Sequence, residues 1–223
     1  DDIALPSVQV QQMTELYEKY KDSSLILRRG FSFCTNDKQK DILIVGYNPQ
    51  ETSKKSKIYS YNIPKSRYGY WSSVNRLISG MGKDNSEITA YIDLFSYREI
   101  DQEKGIKEIV ANPQLIGYVV EQIIATQSVI EDVIRPKLIF IKNQAAWAFF
   151  GKLKEFTWMG YNLSPIGNIN GFEMCEIIGF TNAKDRVAQD FRATTNLIGT
   201  KVIFANEIDL NKYPTPQELS ELL

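Results

Sequence analysis

The tightest constraint on this chain is a set of short apolar runs that leave no polar face. Strands are predicted at Asp41–Gly46, Ile88–Phe95, Lys137–Ile141, Phe172–Phe180 and in the last run "KVIFA", Lys201–Ala205. A strand whose two alternating faces are both apolar has to be covered on both sides, and the stretches between the runs repeat apolar residues every three to four positions, as helices do. Such alternation predicts an α/β fold, three-layer α/β/α, around a central, mainly parallel sheet. With 43% hydrophobic residues in 223, one core suffices, so 1–223 reads as a single domain.

The helices follow from start and stop signals. A helix over Val8–Leu27, packed on the domain, is opened by Pro6 and Ser7 and carries Val8, Val10, Met13, Leu16, Tyr17 and Tyr20 mostly at helical spacing. A second runs from about Tyr70 to Ile78 and is closed by Gly80 and Gly82; a third spans Asn112–Ile134, with Pro113 in its first turn and Pro136 beyond its end. Asn143 caps a short helix through Ala145 and Phe150 to Gly151, and a helical stretch covers about Asp185–Asn196. In open parallel sheets ligands collect beyond the carboxyl ends of the strands, which directs attention to Tyr47–Gln50, Asp93–Tyr97, Lys142–Gln144 and Thr181–Arg186.

Composition removes whole classes of chemistry. There is no histidine, so His-based nucleophile triads, imidazole acid/base catalysis and His-ligated metals are excluded. Two cysteines, Cys34 and Cys175, are too few and too far apart for a disulfide framework or a zinc site, and two reduced thiols suit a cytoplasmic protein. The chain has no glycine-rich phosphate loop, so neither a nucleotide cofactor nor a metal is expected. No apolar window is long enough for a membrane span. The net charge of −1 offers no global field for nucleic acid, so such a partner needs a local patch.

One patch exists. Between Thr52 and Gly82 the cations Lys54, Lys55, Lys57, Lys65, Arg67 and Arg76 meet no acid, and Tyr59, Tyr61, Tyr68, Tyr70 and Trp71 are interleaved with them. Cations for a phosphate backbone beside rings for exposed bases are the two requirements of nucleic-acid binding; a solvated loop with rings on the sheet rim gives the same pattern. Asn48, before Pro49, reads either as a turn residue or as a carboxamide that holds a water.

"ILIVGYNPQ" resembles the first motif, of the "GINPG" type, of the uracil-DNA glycosylase superfamily in its mismatch-specific branch. "RYGYWSSVNRLISGMG" (Arg67–Gly82), "AYIDLFSYRE" (Ala90–Glu99) and "RPKLIFIKNQAAWAFFG" (Arg135–Gly151) are similar to later segments of that branch in the same order, over roughly Asp41–Arg186. The resemblance implies a uracil-DNA glycosylase-like fold and hydrolysis of the N-glycosidic bond of a damaged or mispaired DNA base. It assigns the attacking water to Asn48, the flank of the base pocket to Tyr47, stacking to a ring among Tyr68, Tyr70 and Trp71, and reading of the base edge to Asp93. Asn182 takes the leaving-group loop, with Ala183 and Lys184 where the family has Pro and Ser. Lys184 and Arg186 then join Lys54, Lys55, Lys57, Lys65 and Arg67 as contacts to DNA. As a carboxylate, Asp93 favours a base that offers an amino group over the carbonyl edge of uracil, or else serves as a structural partner of Arg98. The alternatives are a non-catalytic nucleic-acid or nucleotide-binding protein on the same fold, and an unrelated α/β hydrolase-like or ligand-binding domain in which Asn48 is only a turn.

Overall fold

In the structure, a computed structural model, residues 7–50, 56–153, 158–181 and 192–223 are described. The chain runs through α1 (Val8–Tyr20), α2 (Leu25–Arg28), β1 (Phe31–Cys34), β2 (Ile42–Gly46), β3 (Ile58–Tyr61) and α3 (Gly69–Ile78). A two-residue hairpin follows, β4 (Ser79–Gly80) and β5 (Lys83–Asp84), then β6 (Thr89–Asp93), α4 (Gln102–Gly105), α5 (Ile116–Ser128) and β7 (Leu138–Ile141). The remainder is α6 (Trp147–Phe150), β8 (Tyr161–Ile169), β9 (Phe172–Phe180), β10 (Lys201–Phe204) and α7 (Pro216–Ser220).

Six strands form the central sheet in the order β6-β2-β7-β10-β9-β8. β6, β2, β7 and β10 are mutually parallel, so the fold is mixed α/β around a mostly parallel sheet. Alternate residues of the strands feed two separate cores. Leu43, Val45, Ile139, Ile141 and Val202 pack with α1 and α5 on one face. Ile42, Ile44, Leu138, Phe140 and Ile203 pack with α3 and α7 on the other. Both faces are therefore dry, which is why these strands lack polar alternation. Among the described residues no helix is long and apolar enough to cross a membrane.

Four expectations are corrected. Phe172–Phe180 runs antiparallel to β10, pairing Glu176 with Lys201 and Glu173 with Phe204, so its carboxyl end sits at the edge where the parallel strands begin. Its partner β8 pairs antiparallel at the sheet edge, where Pro165 is tolerated beside a register shift. The helix over Val8–Leu27 is two helices, because the Ser24 side chain accepts from the Ile26 amide at 3.1 Å and starts α2 afresh. The polar segment after β2 contains β3, which pairs in parallel with β1 as a separate ribbon. Of the stretch read as helix over Asp185–Asn196, residues 192–196 are not helical and the others lie outside the described residues.

Residues 195–196 are tied to the end of the α5 segment by a buried carboxylate. Glu131 accepts from Tyr161 Oη at 2.9 Å, Thr195 Oγ1 at 2.5 Å and the Asn196 amide at 2.8 Å, with Arg192 Nη1 at 3.6 Å. Glu131→Ala strands these buried donors and is expected to lower stability by about 3 kcal/mol in urea unfolding, with a smaller loss in Glu131→Gln.

Candidate functional site

A cavity of about 360 Å³ opens at the carboxyl ends of the parallel strands. Its size falls within the range of small-molecule sites, about 300–1,000 Å³. The floor comes from residues just after the strands: Asn48 after β2, Asp93 at the end of β6, Asn143 after β7 and Glu207 after β10. One wall is aromatic, built by Tyr70 and Trp71 of α3, Tyr59 and Tyr61 of β3, and Tyr91. Trp71 meets its neighbours edge to face, 4.8 Å from Tyr91 and 5.3 Å from Tyr70 between centroids. The ribbon that carries Tyr59 and Tyr61 is fastened to the segment after β6 by Ser32 N–H donating to Ser96 O at 3.0 Å and by the Phe31–Tyr97 bridge.

Asn48 is oriented unambiguously. Its Nδ2 donates to the carbonyls of Pro49 at 2.8 Å and Glu99 at 2.9 Å, with the Tyr97 carbonyl at 3.5 Å. Three carbonyls around one end of the amide fix which end is nitrogen. Among the described residues Oδ1 accepts no hydrogen bond, so the free pole of this cavity-lining amide is an acceptor. The same contacts hold the Pro49–Glu99 loop, so Asn48 has a structural role whatever else it does.

Asp93 is half-buried, and its Oδ1 accepts from Tyr91 Oη at 2.7 Å. Tyr91 Oη lies 2.5 Å from Tyr70 Oη, completing a chain of three oxygens. Burial pushes the Asp93 carboxyl up to about 7; Glu207 adds to the rise, while the Tyr91 hydrogen bond and Lys142 oppose it. Burial also raises the Tyr91 and Tyr70 phenols, Asp93 adding to both, so they stay protonated at neutral pH. Lys142 is 2% exposed, with Nζ 4.0 Å from the Tyr70 ring centroid and 4.0 Å from Glu207 Oε1. Desolvation lowers its ammonium, against the pull of Glu207 and Asp93. Glu99 pairs with Arg29 at 2.7 Å; burial works against its charge, but the Asp101 amide and Arg29 outweigh it and hold the carboxylate below its ordinary value.

Gly46 makes the oxygen chain sterically allowed. A Cβ there would lie 2.0 Å from Tyr91 Oη, 2.3 Å from Asp93 Oδ1 and 2.8 Å from Tyr70 Oη.

Of the residues singled out in the sequence, Tyr47, Asn48, Tyr70, Trp71 and Asp93 line this one cavity. The Tyr47 ring itself turns into the core, 5.3 Å from Phe95. Tyr68 is 84% exposed and does not line the cavity. Lys57 is exposed, its Nζ donating to the Arg28 carbonyl at 3.3 Å. Arg67 is exposed, and Lys65 lines a second cleft of about 380 Å³ with Lys38 and Lys40. Asn182, Lys184, Arg186, Lys54 and Lys55 lie outside the described residues. Asp93 does not pair with Arg98, whose Nε and Nη2 donate to the Arg29, Gly30 and Ser56 carbonyls and whose guanidinium lies over the Tyr59 ring. Glu207, Lys142 and Glu99 were not assigned from sequence. The position of Glu207, just past a parallel strand, is the signal that could have found it.

No family model, curated protein or solved structure matches this chain.

Gly46→Ala is expected to break the oxygen chain and cost about 2 kcal/mol in thermal unfolding. An acid with a raised folded value holds its proton more tightly folded than unfolded, so Asp93 costs stability increasingly from about pH 4 to about pH 7 and by a constant amount above. Asp93→Asn keeps an acceptor for Tyr91; it is expected to be about 2 kcal/mol more stable than the parent near pH 8 and equal to it below about pH 4.

Proposed function

We propose that the cavity takes a flat nitrogenous ring and that the chain is a divergent glycosylase of the uracil-DNA glycosylase-like type, hydrolysing the N-glycosidic bond of a base in DNA. The observation that carries this reading is the convergence of the Asn48 amide oxygen, the Asp93 carboxyl and the Tyr70, Trp71 and Tyr91 rings on one cavity at the strand ends. The aromatic wall supplies apolar contact for a base, and the carboxyl and amide groups supply partners for its edge. The ordered motifs from Asp41 onward supply the reaction.

In that reaction the bond between C1′ and the base nitrogen breaks, its electron pair leaving with the base. Asn48 Oδ1 accepts a hydrogen bond from a water and holds it for addition to C1′; the water's surplus proton leaves to solvent. An amide is too weak a base to deprotonate the water early, which suits a transition state dominated by bond breaking. Asp93 is the group placed to relieve charge on the departing base. With its value raised to about 7, part of it is neutral near neutral pH, and a neutral carboxyl can donate, directly or through the Tyr91 and Tyr70 hydroxyls, where a carboxylate cannot. Glu99 also lines the cavity and is held ionised, but its pairing with Arg29 offsets most of its charge.

A second reading is favoured by the Asn48 contacts: an amide spent on three carbonyls belongs equally to a protein that binds DNA without cleaving it. Duplex and single-stranded oligonucleotides carrying uracil, hypoxanthine, xanthine, cytosine or a mispaired thymine separate the two. Under the glycosylase reading, at least one substrate gives abasic sites that alkali converts to strand breaks, and Asn48→Ala lowers the single-turnover rate about 100-fold with little change in affinity. If no base is released from any substrate, the hydrolytic reading fails. Binding that weakens steeply with salt, with a slope reduced in Lys57→Ala, Lys65→Ala and Arg67→Ala, then identifies the binding protein.

A further inference from the structure

The three oxygens above Gly46 have a directional property that bears on which ring the cavity selects, given the ring-binding reading above. The Tyr91 proton points to Asp93, since Tyr91 Oη donates to Asp93 Oδ1 at 2.7 Å. Tyr91 has only one hydroxyl proton, so the 2.5 Å contact with Tyr70 must then use the Tyr70 proton, donated inward. In this arrangement Asp93 Oδ2 and the lone pairs of Tyr70 Oη remain, and both are acceptors. Among the described residues neither has another partner, and both residues line the cavity.

Adding one proton to Asp93 permits the opposite arrangement. The Asp93 hydroxyl donates to Tyr91, Tyr91 donates to Tyr70, and the Tyr70 proton turns outward to the ligand. No heavy atom has to move, because each link is an oxygen pair already at hydrogen-bond distance. We propose that Asp93, Tyr91 and Tyr70 form one reversible hydrogen-bond chain that selects the bound ring by its edge, accepting from an exocyclic amine or ring N–H in one direction and donating to a ring carbonyl in the other. The ligand class is thus a nitrogenous base, with the amino-bearing edge preferred while Asp93 is ionised.

The groups facing Asp93 set where the reversal occurs. They are Tyr91 on its own strand, Tyr70 on α3, Tyr61 on β3, Cys34 on β1, Lys142 after β7 and Glu207 after β10. Tyr70, Tyr61 and Cys34 are neutral near pH 7, all raised chiefly by burial. The charged pair acts in opposite senses, Glu207 raising the Asp93 value and Lys142 lowering it. The Tyr91 hydrogen bond also lowers it.

Cytidine and uridine differ at the ring edge by an amine in place of a carbonyl, which makes them the probes. Their dissociation constants can be read from tyrosine and tryptophan NMR shifts at up to millimolar nucleoside across about pH 5.5 to 8.5, thermal melts confirming that each variant is folded. The parent is expected to favour cytidine about tenfold at the alkaline end, and the preference is expected to vanish or invert at the acid end. Asp93→Asn should show a ratio that does not change with pH. Tyr91→Phe removes the middle oxygen and should leave only the pH dependence that Asp93 exerts directly, so the change in preference shrinks, whereas Glu207→Gln keeps the chain and should move the midpoint to lower pH. Binding of both nucleosides with a constant ratio in the parent, or a pH-dependent ratio that survives in Asp93→Asn, overturns the chain and leaves the ring pocket standing. Absence of binding by either nucleoside at every pH overturns the chain and the ring pocket together.

Discussion

The site depends on the space left by a missing side chain at Gly46. The parallel register sets Gly46 beside Asp93 at the ends of β2 and β6, and Ile44 beside Tyr91 one repeat earlier. Residues two apart on β6 share a face, so Tyr91 and Asp93 point the same way and reach each other. Tyr70 arrives from α3 to close the chain, and all three oxygens occupy the volume a Cβ on Gly46 would fill. Strand register, helix placement and one glycine are thus a single requirement. Slipping β2 against β6 by one residue would turn its core residues over and separate the acid from its phenols.

Around this chain Asp93 and Glu99 are pushed in opposite directions, Asp93 up and Glu99 down. Glu99 has Arg29 and a backbone amide and stays ionised. Glu207 is partly solvated and reaches Lys142 only at 4.0 Å. Asp93 has no cation in hydrogen-bond contact among the described residues, and a phenol is its one partner. A phenol stabilises a carboxylate less than a guanidinium does, which leaves burial as the dominant influence on Asp93. Lys142, sealed under Tyr70, supplies positive charge from behind the wall without presenting an ammonium to the cavity.

How much of this could be read from the sequence follows from how local each feature is. β2, β6, β7, β10 and α3 were legible because continuous apolar runs and a 3.6-residue period report burial directly, and Asn48 and Asp93 followed from the rule that strand ends carry function. The β1–β3 ribbon was not legible: "IYSY" is only four residues long and sits inside a basic segment, and its partner lies 27 residues earlier in register, Ile58 on Phe31. β8 was hidden by Pro165 and Gly167, which read as loop yet belong to an edge strand with register shifts. The direction of β9 was missed because a buried strand has the same pattern in either orientation; its pairing with β10 shows it. The Asp93–Tyr91–Tyr70 chain needs an i, i+2 pair on a strand and a third group from a helix about twenty residues away, a contact no periodicity announces.

The buried Arg98 gives the N-terminal quarter of the chain an unexpected importance. This guanidinium, 0% exposed, gathers carbonyls from Arg29, Gly30 and Ser56 and supports the Tyr59 ring from behind. The Tyr59 side of the aromatic wall therefore hangs on a positively charged peg, and the ribbon that bears it is joined to the segment after β6 by the Phe31–Tyr97 bridge. What would look on a sequence diagram like a dispensable preamble thus props up part of the cavity's aromatic wall, about 150 residues ahead of Glu207 in its floor.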